Sequence, residues 1–175
     1  MRQILIAETE AGSYGLPWKK DSTCFNFKFP KETVHPDDID KITDSSDIDA
    51  LVIGCDLSDY SFISDMTNLT QLYIYSGENI TDLSFIENLV HLRQLYVAGT
   101  HITSIEPLIK LTAEKSRLLT AAREKDNRLR AYFDYAFEAV YLQSDKFDCN
   151  PKDLAEDNVL RTDEIIVNGK RMRHY

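Results

Sequence analysis

The sequence has few of the residues that mark disordered, fibrous or disulfide-rich chains. Of its 175 residues only six are glycine and five are proline, while 43% are hydrophobic, which excludes a collagen-like or intrinsically disordered chain. The three cysteines form no Cys-x-x-Cys pair, so we expect free thiols in a reducing compartment. A chain of this length can bury a core without disulfides or metals. We therefore expect one compact domain.

Long apolar runs are also missing. The longest is far below the roughly 18 residues that cross a bilayer. Near the start, the apolar run Ile4–Ala7 is too short for the hydrophobic region of a signal peptide. These absences predict a cytoplasmic protein that makes no contact with a membrane.

Basic residues are scarce in the middle of the chain. The whole sequence has 20 lysines and arginines against 29 acidic residues, a formal net charge of -9. Residues 37–109 hold 13 of the acidic residues and only two of the basic ones. A segment with this charge repels phosphate, so we expect no nucleic-acid partner. It suits either a solvated surface or contact with a basic protein.

Motifs of catalysis and metal binding are absent. The chain has no glycine-rich phosphate loop, no His-Glu-x-x-His and no Gly-x-Ser-x-Gly. The aspartates between 37 and 49 lack the glycine and terminal glutamate of a calcium loop, so we assign them to helix capping and solvation. Cys55 and His101 would lie about two 4.8 Å strand spacings apart, too far for an activated thiol. We expect no catalytic residue, no metal and no cofactor.

What the chain does contain is an internal repeat of about 22 residues. An apolar triplet with the spacing i, i+3, i+5 occurs three times: Ile48, Leu51 and Ile53; Leu69, Leu72 and Ile74; Leu92, Leu95 and Val97. After each triplet come apolar residues three apart. Positions two apart are typical of a strand and positions three apart of a 3₁₀ turn. Stacked units of this kind share one core.

Two segments carry a family resemblance. Residues 79–86 (NITDLSFI) and 98–108 (AGTHITSIEPL) resemble the leucine-rich repeat family, in the short bacterial type of internalin-like proteins. The resemblance covers residues 48–111. It implies an α/β solenoid of about three repeats with a small parallel sheet, and a role in protein recognition. The family's usual asparagine after the strand is missing, since Asp56, the Gly77-Glu78 region and Thr100 take that position.

The flanking segments are interpreted as caps of one compact domain. Residues 1–47 would form a β-hairpin, with strands at residues 3–7 and 25–29, followed by a short helix from Pro36. Residues 108–175 would form a long helix to about Ser144, continuous or turned near residues 124–128, then a short helix after Asn150. Asn168-Gly169 predicts a terminal type I′ hairpin.

The candidate binding site is the outward face of the repeat sheet. If the triplets point inward, alternate side chains point outward and form rows across neighbouring strands. The candidate residues are Val52, Gln71, Tyr73, Tyr75, Gln94 and Tyr96. Tyrosine is enriched at the energetic centres of interfaces. The same row would also arise from cross-strand packing, or be covered by the C-terminal tail.

The sequence therefore predicts a non-catalytic protein-interaction module whose partner is an unidentified protein. An alternative class is an acidic inhibitor, of the immunity-protein type, that blocks a basic enzyme with its carboxylates. An enzyme is the third and weakest interpretation. We expect a monomer, with a homodimer through the long helix, at Phe133, as the other possibility.

Overall fold

The computed structural model describes residues 2–8, 30, 32–125, 135–156 and 164–173. Its framework is one eight-stranded sheet in the order β2-β1-β3-β4-β5-β6-β7-β8. All neighbouring strands are parallel except β7 and β8. The strands are β1 (Arg2–Ile6), β2 (Glu32–Val34), β3 (Ile48–Ile53), β4 (Gln71–Ile74), β5 (Gln94–Thr100), β6 (Ala139–Ser144), β7 (Glu164–Val167) and β8 (Lys170–Arg173). The protein is therefore a mixed α/β fold built on a mostly parallel sheet.

Two α-helices and four 3₁₀ segments connect the strands in the described part of the chain. The helices are α1 (Glu106–Lys125) and α2 (Pro151–Glu156), and the 3₁₀ segments are Pro36–Lys41, Ser45–Asp47, Ser61–Asp65 and Ser84–Ile86. Neither of these two described helices is long and apolar enough to cross a membrane.

The core is built by inward side chains that stay in register across six strands. Leu51, Leu72 and Leu95 are direct partners, and so are Ile53, Ile74 and Val97. The same two rows continue into β1 and into β6 and β7, where the partners are Ile4, Ile6, Val140, Leu142, Ile165 and Val167. All twelve side chains are almost fully buried. The three sequence repeats are therefore the centre of a longer ladder of stacked strands.

The apolar residues three apart also contribute to this core. Ile63 in the segment Ser61–Asp65 and Met66 just after it are buried, and so are Ile86 in Ser84–Ile86 and Leu89 after it. Backbone hydrogen bonds from the Met66 and Leu89 N–H groups to the Ile63 and Ile86 carbonyls make short 3₁₀-type turns. The predicted alternation of strand and turn is confirmed.

The predicted N-terminal hairpin is wrong. β1 lies between β2 and β3 and pairs with both in parallel, so neither edge is left for an antiparallel partner. The proposed second arm, residues 25–29, lies outside the described residues. Burial explains the difference, because Ile4 and Ile6 complete the two core rows at this end of the sheet. The helix predicted from Pro36 is present as a 3₁₀ segment with His35 as its N-cap.

The predicted long helix to Ser144 is also wrong. α1 ends at Lys125, and Ala139–Ser144 is strand β6, parallel to β5. This segment alternates Val140 and Leu142 toward the core, and their burial outweighs the helix propensity of the surrounding sequence. Phe133, at which a homodimer through the long helix was considered, lies outside the described residues.

The C-terminal elements were predicted correctly where they are described. Asn150 caps α2, since its Oδ1 accepts a hydrogen bond from the Lys152 N–H at 3.0 Å. β7 and β8 form an antiparallel hairpin whose turn residues have positive φ, 48° at Asn168 and 79° at Gly169. These angles are those of the predicted type I′ turn.

Candidate functional site

The outward tyrosine row exists, but its centre is not exposed. Val52, Tyr73 and Tyr96 are direct partners across β3, β4 and β5, as the sequence predicts. Their exposed fractions are only 0%, 0% and 4%, and that of Gln94 is 2%. The expectation that these four residues form an open surface is therefore wrong. Gln71 and Tyr75 are half-buried.

Aromatic rings on this face contact one another. The Tyr96 ring lies parallel to the Tyr141 ring, with centroids 4.2 Å apart and planes 11° apart. Tyr73 and Tyr75 contact the other side of the cluster, at centroid distances of 6.2 Å and 5.8 Å from Tyr96. Burial raises the pKa of the Tyr73, Tyr75 and Tyr96 hydroxyls. The row is thus a cross-strand aromatic cluster that stabilises this face of the sheet.

A polar chain holds the amino ends of the same strands. The Tyr73 hydroxyl bonds to the Gln94 side-chain oxygen, and Gln94 Nε2 donates to Glu138 Oε2 at 2.8 Å. The Arg93 guanidinium pairs with the other Glu138 oxygen. Gln94 is therefore engaged inside the protein, where its amide is occupied by internal partners.

Among the described residues, the outward face is also accessible beside and beyond Tyr96. Tyr141, the partner of Tyr96 on β6, and Tyr75 are half-buried, and Gln143, nearer the carboxyl end of β6, is exposed. We call Tyr75, Tyr141 and Gln143, with the cleft beside them, the carboxyl rim. Tyr141 and Gln143 were missed from the sequence because their segment was assigned to the long helix. The alternation along residues 139–144 was the signal that could have found them.

The cleft of the carboxyl rim has a volume of about 990 Å³ and contains two charged pairs. His101 Nδ1 lies 2.6 Å from Asp145 Oδ1, and Lys170 Nζ lies 2.7 Å from Asp148 Oδ1. The hydrogen bond from His101 lowers the pKa of Asp145, and the one from Lys170 lowers that of Asp148. Both carboxylates are thus held ionised. Glu78 and Lys146 also line this cleft.

A ladder of polar side chains replaces the missing asparagines. Asn79 Nδ2 donates to Asp56 Oδ2 at 2.6 Å and to the Leu57 carbonyl at 3.1 Å, which joins the first repeat to the second. Beyond the repeats, Asn168 Oδ1 accepts from the Ser144 N–H at 2.8 Å. Hydrogen-bonded side chains therefore join neighbouring turns after the strands.

The two cysteines in the described part of the chain are not activated as nucleophiles. Burial raises the pKa of the Cys55 thiol to about 11 and also raises that of Cys149. A thiolate is disfavoured at both positions. Within the described ranges, no group of three His, Cys, Asp or Glu side chains converges to hold a metal ion.

Lys115 on α1 is the most unusual titratable group among the described residues. It is 4% exposed, and its ammonium donates to the carbonyls of Val90 at 2.8 Å and Leu92 at 2.6 Å. The nitrogen also lies 4.5 Å from the centre of the Phe137 ring. Burial, together with the charge of Arg93, lowers its pKa to about 7. These contacts fasten α1 to the turn before β5 and to the segment before β6.

Comparisons with known proteins give one structural likeness. No protein-family model matches the chain, and no curated protein matches it. Among solved structures, the chain is similar to an internalin from Listeria monocytogenes, with 24% sequence identity and a TM-score of 0.46 over 71% of this chain. The chain spans 29% of the length of that internalin. This likeness assigns neither a family nor an activity to the chain.

Proposed function

We propose that the protein is a short leucine-rich repeat solenoid that acts as a non-catalytic protein-interaction module. The observation that carries the proposal is the in-register stacking of the repeats. Leu51, Leu72 and Leu95 align across β3, β4 and β5, and each strand is followed by a short turn. Stacked units of this kind expose a continuous surface suited to a protein partner.

The binding surface in this proposal is the carboxyl rim. Tyr75 and Tyr141 offer aromatic area that is partly open, on a rigid base formed by the stacked Tyr96 ring. Gln143 and the paired charges of the cleft supply donors and acceptors around it. An aromatic centre with a polar border is typical of protein interfaces. This surface replaces the buried centre of the tyrosine row.

A role without catalysis is supported by the state of the described cysteines. The two described cysteines have raised pKa values and lie in part-buried positions. Side chains in these states are poor nucleophiles.

Affinity capture with the full chain tests the proposal. The tagged protein is incubated with a lysate of its source cells, and the recovered partner is identified by mass spectrometry and then purified. We expect Tyr141→Ala and Tyr75→Ala each to weaken the purified complex by roughly tenfold or more. Ile109→Ala is the control, since Ile109 is an exposed apolar residue on α1. Unchanged affinity in both tyrosine variants would exclude the carboxyl rim.

A further inference from the structure

A groove with an apolar floor and acidic sides lies outside the carboxyl rim, between two 3₁₀ segments. It runs between Pro36–Lys41 and Ser61–Asp65 and has a volume of about 690 Å³. The elements that form it precede and belong to the first repeat, whereas the carboxyl rim is formed by later strands. The groove is therefore a separate surface, and a ligand bound in it would leave the carboxyl rim open.

The floor of this groove is apolar and partly open. Three half-buried side chains, Ile39, Ile42 and Phe62, pack on the buried residues Leu57 and Met66. Their inner sides belong to the main core, while their outer sides remain accessible. Covering such a surface removes apolar area from water and would favour an occupant with its own apolar groups.

The charged side chains that line the groove are all negative. All charged side chains that line it are aspartates: Asp37, Asp40, Asp56, Asp59 and Asp65. The hydrogen bond from the Ser61 backbone N–H lowers the pKa of Asp59, which keeps it ionised. Lys41, which ends the segment Pro36–Lys41, is paired with Asp38 at 2.7 Å. The described lining thus contains carboxylates without a neutralising lysine or arginine.

These carboxylates are spread along the groove and do not converge on one point. In the described part of the chain, no three acidic, histidine or cysteine side chains could hold a metal ion. Separate cationic groups on one ligand match this arrangement better than a single ion does. Lysine and arginine provide such groups on long aliphatic stems, which can lie on an apolar floor while the charged ends reach carboxylates.

We propose that this groove binds a basic segment of a partner protein in which arginine or lysine alternates with apolar residues. The apolar side chains of the segment cover Ile39, Ile42 and Phe62. Its cationic groups meet the aspartates on either side of the groove. Charge complementarity sets the choice of partner and the rate of encounter, and the apolar floor adds to affinity. This binding does not depend on the function proposed for the carboxyl rim.

The test uses a short synthetic peptide in which arginine and leucine alternate. Its binding to the full chain is measured by fluorescence anisotropy, beside a glutamate–leucine peptide and an arginine–serine peptide of equal length. We expect binding of the arginine–leucine peptide alone, and a loss of affinity of about tenfold between roughly 50 and 300 mM salt. Equal binding of the arginine–serine peptide would overturn the role of the apolar floor, and absence of binding would overturn the proposal.

A charge-matched pair of variants locates the site. Asp40→Lys with Asp65→Lys reverses two charges of the groove, and Glu124→Lys with Asp153→Lys makes the same change at exposed positions on α1 and α2. We expect the first double variant to lose about tenfold in affinity and the second to keep most of it. Equal losses of affinity in the two double variants would show an effect of net charge alone and would contradict binding in the groove. Affinity for a partner bound at the carboxyl rim should stay unchanged in both variants.

Discussion

At the scale of single residues, Lys115 shows how far burial can change an ordinary side chain. A lysine on a polar helix is commonly exposed, often paired with an acidic side chain one turn away. Arg117 does pair with Glu114, at 2.6 Å, and Lys110 lies 3.5 Å from Glu87. Lys115 instead turns inward and bonds two backbone carbonyls. Those carbonyls end the turn before β5, so the contact helps to set the start of that strand.

The lowered pKa of Lys115 predicts a pH-dependent stability. Its pKa is about 7 in the folded protein and 10.5 as a free side chain. Between these values the unfolded chain binds a proton that the folded protein lacks, so the free energy of unfolding rises with pH across this window, by up to about 1.4 kcal/mol per pH unit.

Urea unfolding between about pH 7 and pH 10 measures this slope. We expect Lys115→Met to remove most of it, because methionine retains the apolar stem without a titratable group. Lys110→Met is the control, since Lys110 is exposed on the same helix. Parallel pH profiles for the parent chain and Lys115→Met would contradict the prediction.

Among the secondary-structure elements, some are specified by their own turn residues and others by partners far away in sequence. The hairpin of β7 and β8 depends on two residues, because Asn168 and Gly169 adopt positive φ at a low energetic cost. β6 depends on partners far away in sequence. It lies between β5 and β7, and Glu138, just before it, binds Arg93 and Gln94. This ion pair and hydrogen bond help to place β6 beside β5.

Gly169→Ala measures the free-energy cost of the positive φ in the turn of the hairpin. A Cβ at this position would meet nothing within 4 Å, so the substitution changes only the cost of the positive φ. We expect a loss of about 1 kcal/mol in the free energy of unfolding, measured by urea titration.

Gly169→Asn is the matched variant, because asparagine tolerates the left-handed region. It should keep most of the stability that alanine loses. If alanine and asparagine were equally tolerated, the backbone at this turn would differ from the one described.

For the molecule as a whole, the sheet ends in an edge strand that is short, β2, and one that is rich in basic residues, β8. β2 has three residues, and β8 has the sequence Lys170-Arg171-Met172-Arg173. Short strands and basic side chains at a sheet edge disfavour pairing with a second copy. The formal net charge of -9 adds repulsion between chains. These features argue for a single chain in solution.

Light scattering coupled to size exclusion tests this expectation. We expect a mass near 20.1 kDa at micromolar protein and low salt. A mass of twice this value would contradict the prediction.

Elements whose signals are local could be predicted from the order of the residues. Apolar residues two and three apart specified the repeat strands, their turns and their mutual register, since Leu51, Leu72 and Leu95 can all be buried only in that alignment. Asn150 and the pair Asn168-Gly169 specified a helix start and a hairpin. From the candidate site, the alignment of Val52 with Tyr73 and Tyr96 was predicted in the same way.

Long-range packing sets which strands extend the sheet and which side chains stay accessible. Val140 and Leu142 have the spacing of a strand, but they lie in a stretch without glycine or proline that favours a helix, and burial beside β5 selected the strand. The exposure of Tyr73 and Lys115 depends on what packs over them. Such contacts join residues far apart in sequence, and their free energy comes from a surface that exists only after the sheet has formed.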